Sequence, residues 1–178
     1  MARTYRQRKR AEHTAETRQR IVDAAVDLHT TLGPAKTPVS AIAERAGVQR
    51  HTVYAHFPDS GLLFAACSAH WAALHPFPEP ERLEKLGDAL DAVYAWYASV
   101  EDDVALFERD AAEIGELETE QVRLLGELRR RLGRGRSKRA RAAIGHALEF
   151  ETWRSLVRRQ GLSRRAAVDL MVRLADNL

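Results

Sequence analysis

Residues 49 to 56 read Gln-Arg-His-Thr-Val-Tyr-Ala-His, so six of eight side chains are polar and can donate hydrogen bonds. Gln49, Arg50, His51, Thr52, Tyr54 and His56 suit phosphate oxygens and the edges of bases. The same residues do poorly as a reaction centre. His51 and His56 are five apart, as are His70 and His75, and two histidines share a helical face at four; no Glu lies between either pair. Cys67 is the only cysteine, so no cysteine pair can hold zinc. There is no Gly-rich phosphate loop and no Gly-x-Ser-x-Gly elbow. Glu149 and Glu151 flank Phe150, and their side chains diverge instead of sharing a cleft. No enzyme, metal site or cofactor is expected.

Charge points the same way as the donor row. The chain has 178 residues, 28 Lys+Arg and 25 Asp+Glu, a formal net charge of +3. Residues 1–20 alone hold seven basic residues (Arg3, Arg6, Arg8, Lys9, Arg10, Arg18, Arg20) against Glu12 and Glu16. From Glu101 to Glu127 there are ten acids against Arg109 and Arg123, and Leu128 to Arg141 carries eight basic residues and no acid. Attraction to polyanions is therefore local, not global. A 45% hydrophobic content is that of a globular chain. The lone cysteine fits a reducing compartment. No apolar run approaches the roughly 20 residues that span a bilayer, and the charged N-terminus lacks the apolar segment of a secretory signal. A soluble, cytoplasmic protein without membrane partners is expected.

The elements that must position the donor row are helices. No sustained two-residue alternation and no Asn-Gly or Asp-Gly turn occurs. From Thr14 to about Leu32, Ile21, Ala24, Ala25 and Leu28 recur at three or four residues, an amphipathic stripe stopped by Gly33-Pro34. Thr37 is placed to cap a short helix with Pro38 at its first position, running to Ala46. A second short helix follows from about Gln49 to His56, and a longer one over 60–74. His75 to Pro80 holds three prolines in six residues, the composition of a stiff extended linker. Five more helices are predicted near 81–99, 102–115, 118–132, 137–160 and 163–176, with a loop at 133–137 and Ser163 as a cap. The expected fold is all-α, with about nine helices.

Ala43, Gly47 and Val53 have the spacing of two short helices crossing steeply. A small residue allows the close approach, Gly47 permits a positive φ in the turn, and Val53 with Ile42, Ala46 and Val48 pins the second helix. A plain αα-hairpin has the same frame, but it calls for an apolar second helix. The donor row and the basic N-terminal arm favour a DNA-binding helix-turn-helix. The arm itself can track a minor groove or stay a disordered tail.

Thr37 to Phe64 contains Ile42-Ala43, Ala46-Gly47-Val48, Thr52-Val53-Tyr54, His56-Phe57 and Leu62-Leu63-Phe64, preceded by Arg20-Ile21-Val22-Asp23-Ala24-Ala25 and Leu28. This stretch, about residues 14 to 70, resembles the DNA-binding domain of the tetracycline-repressor (TetR) family. Beyond it the likeness is only in helix number and length. The resemblance implies a homodimeric, ligand-responsive transcriptional repressor. It makes Gln49–Phe57 the recognition helix, with Arg50, His51 and Thr52 toward base edges and adjacent phosphates. Tyr54 and His56 would meet the phosphate backbone, and Ser40 would also reach DNA. Family members usually carry a Lys where this chain has Ser60, so a hydroxyl or the helix N-terminus would replace a charged contact there. Arg50 can read guanine or hold a phosphate, and His51 can touch a base or stay solvated.

The C-terminal half is rich in rings. Trp71, Tyr94, Tyr97, Phe107, Phe150 and Trp153, with His146, are candidates to line a ligand cavity, and the same set also suits an ordinary core. His146, Phe150 and Trp153 are expected on one face of a single long helix over 137–160. Tyr94, Trp96 and Tyr97 cannot all face one way. Val168, Leu170, Met171, Val172, Leu174 and Leu178 give the last helix more apolar surface than an edge helix needs, and the resemblance implies a homodimer through the last two helices. The 128–141 run suits a second nucleic-acid contact or pairing with the acidic 101–127 segment.

The expectation is thus residues 1–60 as basic arm and helix-turn-helix domain, and residues 61–178 as ligand-sensing and dimerisation domain. Function would be repression from a palindromic duplex DNA site, relieved by a small apolar effector. The alternatives are a DNA-binding regulator without an effector, and an all-α interaction module for acidic partners.

Overall fold

The computed structural model describes residues 2–114 and 119–178; the side chains of 2–4 and 114 are likewise outside the described set. The expected helix ends at 115 and 118 therefore lie outside it. The described residues form ten α-helices and no strand: α1 (Ala2–Thr31), α2 (Val39–Arg45), α3 (Arg50–His56), α4 (Ser60–Leu74), α5 (Leu86–Ser99), α6 (Glu101–Ile114), α7 (Glu120–Leu132), α8 (Lys138–Ala147), α9 (Phe150–Trp153) and α10 (Arg164–Asp176). None of them is long and apolar enough to cross a membrane. The helices group into two compact units, Met1–Leu74 with Asp102–Leu117, and His75–Glu101 with Glu118–Leu178.

The first unit is built on α1. Its second half buries Ile21, Val22, Ala24 and Ala25, which meet Ile42 and Ala43 of α2, Val53 of α3, and Leu63 and Cys67 of α4. The helix does not begin at Thr14 as its apolar stripe suggested. It runs back to Ala2, so the basic arm is helical, and an i,i+4 pair between Arg8 and Glu12 (3.0 Å) lies along it. Periodicity could not reveal this part, because it has no apolar face. At the other end, Gly33 takes φ 95°, and Arg109 of α6 donates to the Leu32 carbonyl (2.7 Å). Asp110 accepts from the Ala35 amide (3.0 Å) and from Arg109 Nε (2.6 Å). A Cβ at Gly33 would collide with both α6 side chains. That corner precedes α2, whose N-cap is Pro38 and not Thr37; the Thr37 hydroxyl donates instead to the Gly33 carbonyl (2.8 Å).

By packing, α4 belongs with the helix-turn-helix, since Leu63 and Cys67 enter its core. The compact unit therefore runs to Leu74, beyond the division at residue 60 drawn from sequence.

The second unit packs α10 against α5 and α8. Leu90, Val93, Tyr94, Leu128, Ile144, Leu148 and Trp153 are almost completely buried in it. Phe77 and Pro80 of the proline-rich segment are also buried, and Pro80 opens a 3-10 turn, so this stretch is packed and not a free linker. The next helix starts at Leu86, later than the expected residue 81.

The single helix expected over 137–160 is broken. α8 ends at Ala147, Glu149 is extended (φ −81°, ψ 142°), and α9 restarts at Phe150 before widening into a π-helical stretch over Arg154–Arg159. Two tyrosines explain the break. The Tyr94 hydroxyl donates to the Ala147 carbonyl (2.8 Å) and the Tyr97 hydroxyl to the Leu148 carbonyl (2.7 Å). Those carbonyls would otherwise need amides four residues on.

Candidate nucleic-acid interface

Turn geometry comes first. Ala43 is buried at the crossing of α2 and α3, and its carbonyl accepts from the Val48 amide (2.9 Å). Gly47 has φ 65°, and a Cβ there would meet nothing closer than Arg20 Nη1 at 4.0 Å. Gly47 is thus required by its dihedral angle and not by crowding. Across the turn, Val53 is 1% exposed and Phe57 3%. Phe57 lies under the Arg18 guanidinium, 4.6 Å from its ring centroid. The Asp27–Arg45 pair (2.6 Å) ties α2 to α1, and the Asp23–His70 contact (3.2 Å) ties α4 to α1.

Val53 fixes the orientation of α3. With it facing the core, Arg50, His51 and Tyr54 are exposed, and Tyr54 keeps 48% of its surface open. Gln49, the N-cap of α3, is exposed as well. Thr52 and His56 are half-buried on the flanks. Ser40, in the first turn of α2, and Ser60, the first residue of α4, are exposed. All eight residues therefore lie in the first unit on three helices that share one core.

Two features escaped the sequence. Asp59 Oδ1 accepts from the Leu62 amide (2.8 Å), so a carboxylate already caps α4 beside Ser60. This amide is thus spent within the chain and is not open to a phosphate. The signal was an Asp three residues before Leu62. The second is Arg18, whose packing on Phe57 no local pattern announces.

The aromatic candidates fall into two groups. In the first unit, Trp71 donates its indole N–H to Asp103 (2.7 Å) and meets Phe107 edge-on at 5.5 Å. In the second, Tyr97, Phe150 and Trp153 contact one another at 5.3–5.9 Å. Tyr94 is completely buried, and burial pushes its phenol well above the usual tyrosine range, keeping it a proton donor. His146 does not share a helix with Phe150 and Trp153. It lies exposed on α8, with Thr152 Oγ1 3.3 Å from its Nδ1. In the 128–141 run, Arg129 meets Glu149 (3.8 Å) and Arg136 meets Asp176 (2.9 Å). Arg131 and Arg141 donate to the carbonyls of Glu81 and Arg136. Among the described residues, no three of His, Cys, Asp and Glu gather as a metal would need.

Comparison with known proteins fits this geometry. Residues 21–67 match the family described as "Bacterial regulatory proteins, tetR family". The chain is 41% identical over 58 residues to the HTH-type transcriptional regulator AcrR of Shigella flexneri, covering 33% of this chain and 27% of that one. It is 46% identical over 50 residues to the HTH-type transcriptional regulator SrpR of Pseudomonas putida, covering 28% of this chain and 24% of that one. These matches span only about a quarter of the relatives' lengths.

Two solved structures share the fold over most of the chain. A TetR-like transcriptional regulator from Rhodococcus sp. RHA1 aligns at TM-score 0.56 and 23% identity, over 90% of this chain and 94% of that one. The multidrug binding protein EbrR, complexed with imidazole, aligns at TM-score 0.59 and 21% identity, over 88% of each chain. Over residues 21–67, which carry the helix-turn-helix and its exposed donor row, the chain is similar to the tetR family of bacterial regulatory proteins.

Proposed function

We propose that the chain represses transcription by binding a palindromic duplex DNA site as a homodimer, and that a small apolar ligand releases it. The observation that carries this reading is α3. A two-turn helix held by Val53 and Phe57 presents Arg50, His51 and Tyr54 outward, with 48% of the Tyr54 surface exposed. One such helix reads too few bases for specificity, and two on a symmetric dimer read half-sites about 34 Å apart. Arg50, His51 and Thr52 are assigned to base edges and neighbouring phosphates. Gln49, Tyr54, His56, Ser40 and Ser60 are assigned to the backbone.

The division of labour follows the chain. The helix-turn-helix reads DNA, and the helices beyond it sense ligand and dimerise. α4 is the relay, because Leu63 and Cys67 share a core with Val53, so a shift of α4 is felt by α3. Ligand lowers DNA affinity only by its differential affinity for the two arrangements. That EbrR is a multidrug binding protein supports an apolar ligand, as do the rings of Tyr94, Tyr97, Phe150 and Trp153. Those rings are packed, which favours as a second reading a regulator with no effector.

Selection of random-sequence duplexes on the purified protein at about 150 mM salt, where weak attraction is screened, tests the first claim. An enriched inverted repeat is expected. Retention without enrichment overturns it. Operator affinity unchanged by saturating amounts of every apolar ligand that binds would leave the effector-free reading standing.

A further inference from the structure

We propose that the first half of α1 is a second DNA-binding surface, a helical arm whose basic face of Arg6, Lys9 and Arg10 lies on phosphates beyond those reached by α3. The proposal rests on the reading of this chain as a duplex-DNA binder and names a part of the contact that the recognition helix does not supply. Residues 5–16 are all exposed, and Thr17 is the first buried residue of α1. At 1.5 Å per residue the arm stands about 18 Å clear of the core. A helix with no buried face gains nothing from tertiary packing. Its composition must therefore answer to something outside the unit.

The azimuth of the charges says where that lies. Five turns of 3.6 residues make 18, so Arg6 projects in the direction of Ala24, and Arg10 in that of Leu28. Ala24 is buried in the core, and Leu28 packs against it. Lys9, about 60° from Arg6, projects in the direction of Asp27, which pairs with Arg45 of α2. The basic face therefore overhangs on the side of α1 that carries the helix-turn-helix. Arg8 lies about 160° round the helix from both Arg6 and Arg10 and is already paired with Glu12 at 3.0 Å. The arm is also rooted at the reading head: Arg18 stacks on Phe57 at the end of α3, and Arg20 lies by the Gly47 turn. A cationic face beginning at that point fits the phosphate rail of the same duplex better than a separate acidic protein.

The test is the salt dependence of binding to the selected duplex for the wild type, the Arg6→Gln/Lys9→Gln/Arg10→Gln triple variant and Arg8→Gln. All four side chains are exposed. Each lost phosphate contact removes about 0.9 from the log–log slope. The triple variant should lose about 2–3 from that slope and bind roughly 10- to 100-fold more weakly at 150 mM salt. Its ranking of single-base operator variants should be unchanged, because backbone contacts carry no sequence information. Arg8→Gln should keep the wild-type slope. A triple variant with the wild-type slope, or an Arg8→Gln loss as large per charge, overturns the proposal. A wild type that selects no sequence sinks the underlying reading before any variant is made.

Discussion

Arg50 and Tyr54 share the exposed side of α3, yet a guanidinium and a phenol do different work on a duplex. Arg50→Ala should cost about 1–3 kcal/mol and flatten the preference at one base pair of each half-site, as expected of a bidentate guanine reader. A uniform loss across all single-base variants would make it a phosphate contact instead. Tyr54→Phe removes one hydroxyl, so binding should weaken by about 1 kcal/mol on every sequence alike. His29 is a different case. It is 8% exposed against the Phe64 ring, and burial holds its imidazole down at about 4. The unfolded chain takes up that proton near 6.5, so as pH falls from 6.5 to about 4 the unfolded state gains protons the native state refuses. Stability should drop over that window by up to about 3 kcal/mol. Denaturant titrations of wild type and His29→Phe check this, and a wild-type profile no steeper than the variant's refutes it. Cys67 is buried too, and burial pushes its thiol up to about 12, so it should resist alkylation in the native state.

At the scale of elements, the α6 latch on the α1–α2 corner is the least expected feature. Asp110 is 3% exposed and collects the Arg109 guanidinium and the Ala35 amide. The hydrogen bond from Arg109 holds its carboxyl below the usual carboxylate range. Asp110→Asn keeps an acceptor but loses the charge, and should lower the melting temperature by roughly 3–6 °C. Because the folded-state pKa is depressed, this contribution is complete above 3.8 and disappears as pH falls through the lower folded value. Thermal melts of the two proteins should therefore converge only below about pH 4. A constant gap would refute the charge argument. No sequence pattern announces this latch, for its partners are 75 residues apart. The helix-turn-helix was readable because Ala43, Gly47 and Val53 act within ten residues of one another. The break after Ala147 was not, because it is made by hydroxyls some fifty residues upstream. The arm was missed for the opposite reason: a helix with no buried face leaves no period in the sequence.

On the whole molecule, the remaining question is what covers α10. Ala167, Val168, Met171 and Ala175 face inward, and Arg164 pairs with Asp91 of α5 (2.8 Å). Leu170 and Leu174 lie one turn apart on α10, with Leu178 just beyond its end, and all three are 43–48% exposed, apolar surface that a lone subunit leaves in water. Single exposed leucines are ordinary, but Leu170 and Leu174 one turn apart, with Leu178 following, suit an isologous helix contact, in which the same edge serves both copies. In the proposed dimer, specificity would then depend on residues that touch no DNA. Leu174→Glu places a charge in the middle of that edge without entering the core of its own subunit. Sedimentation should show a shift from dimer to monomer at micromolar concentration, with the helical circular dichroism unchanged. On the inverted repeat, the variant should lose the second half-site, so its affinity for the full repeat falls to that for a half-site. A Leu174→Glu protein that stays dimeric and keeps full-repeat affinity would place the subunit contact elsewhere on the molecule.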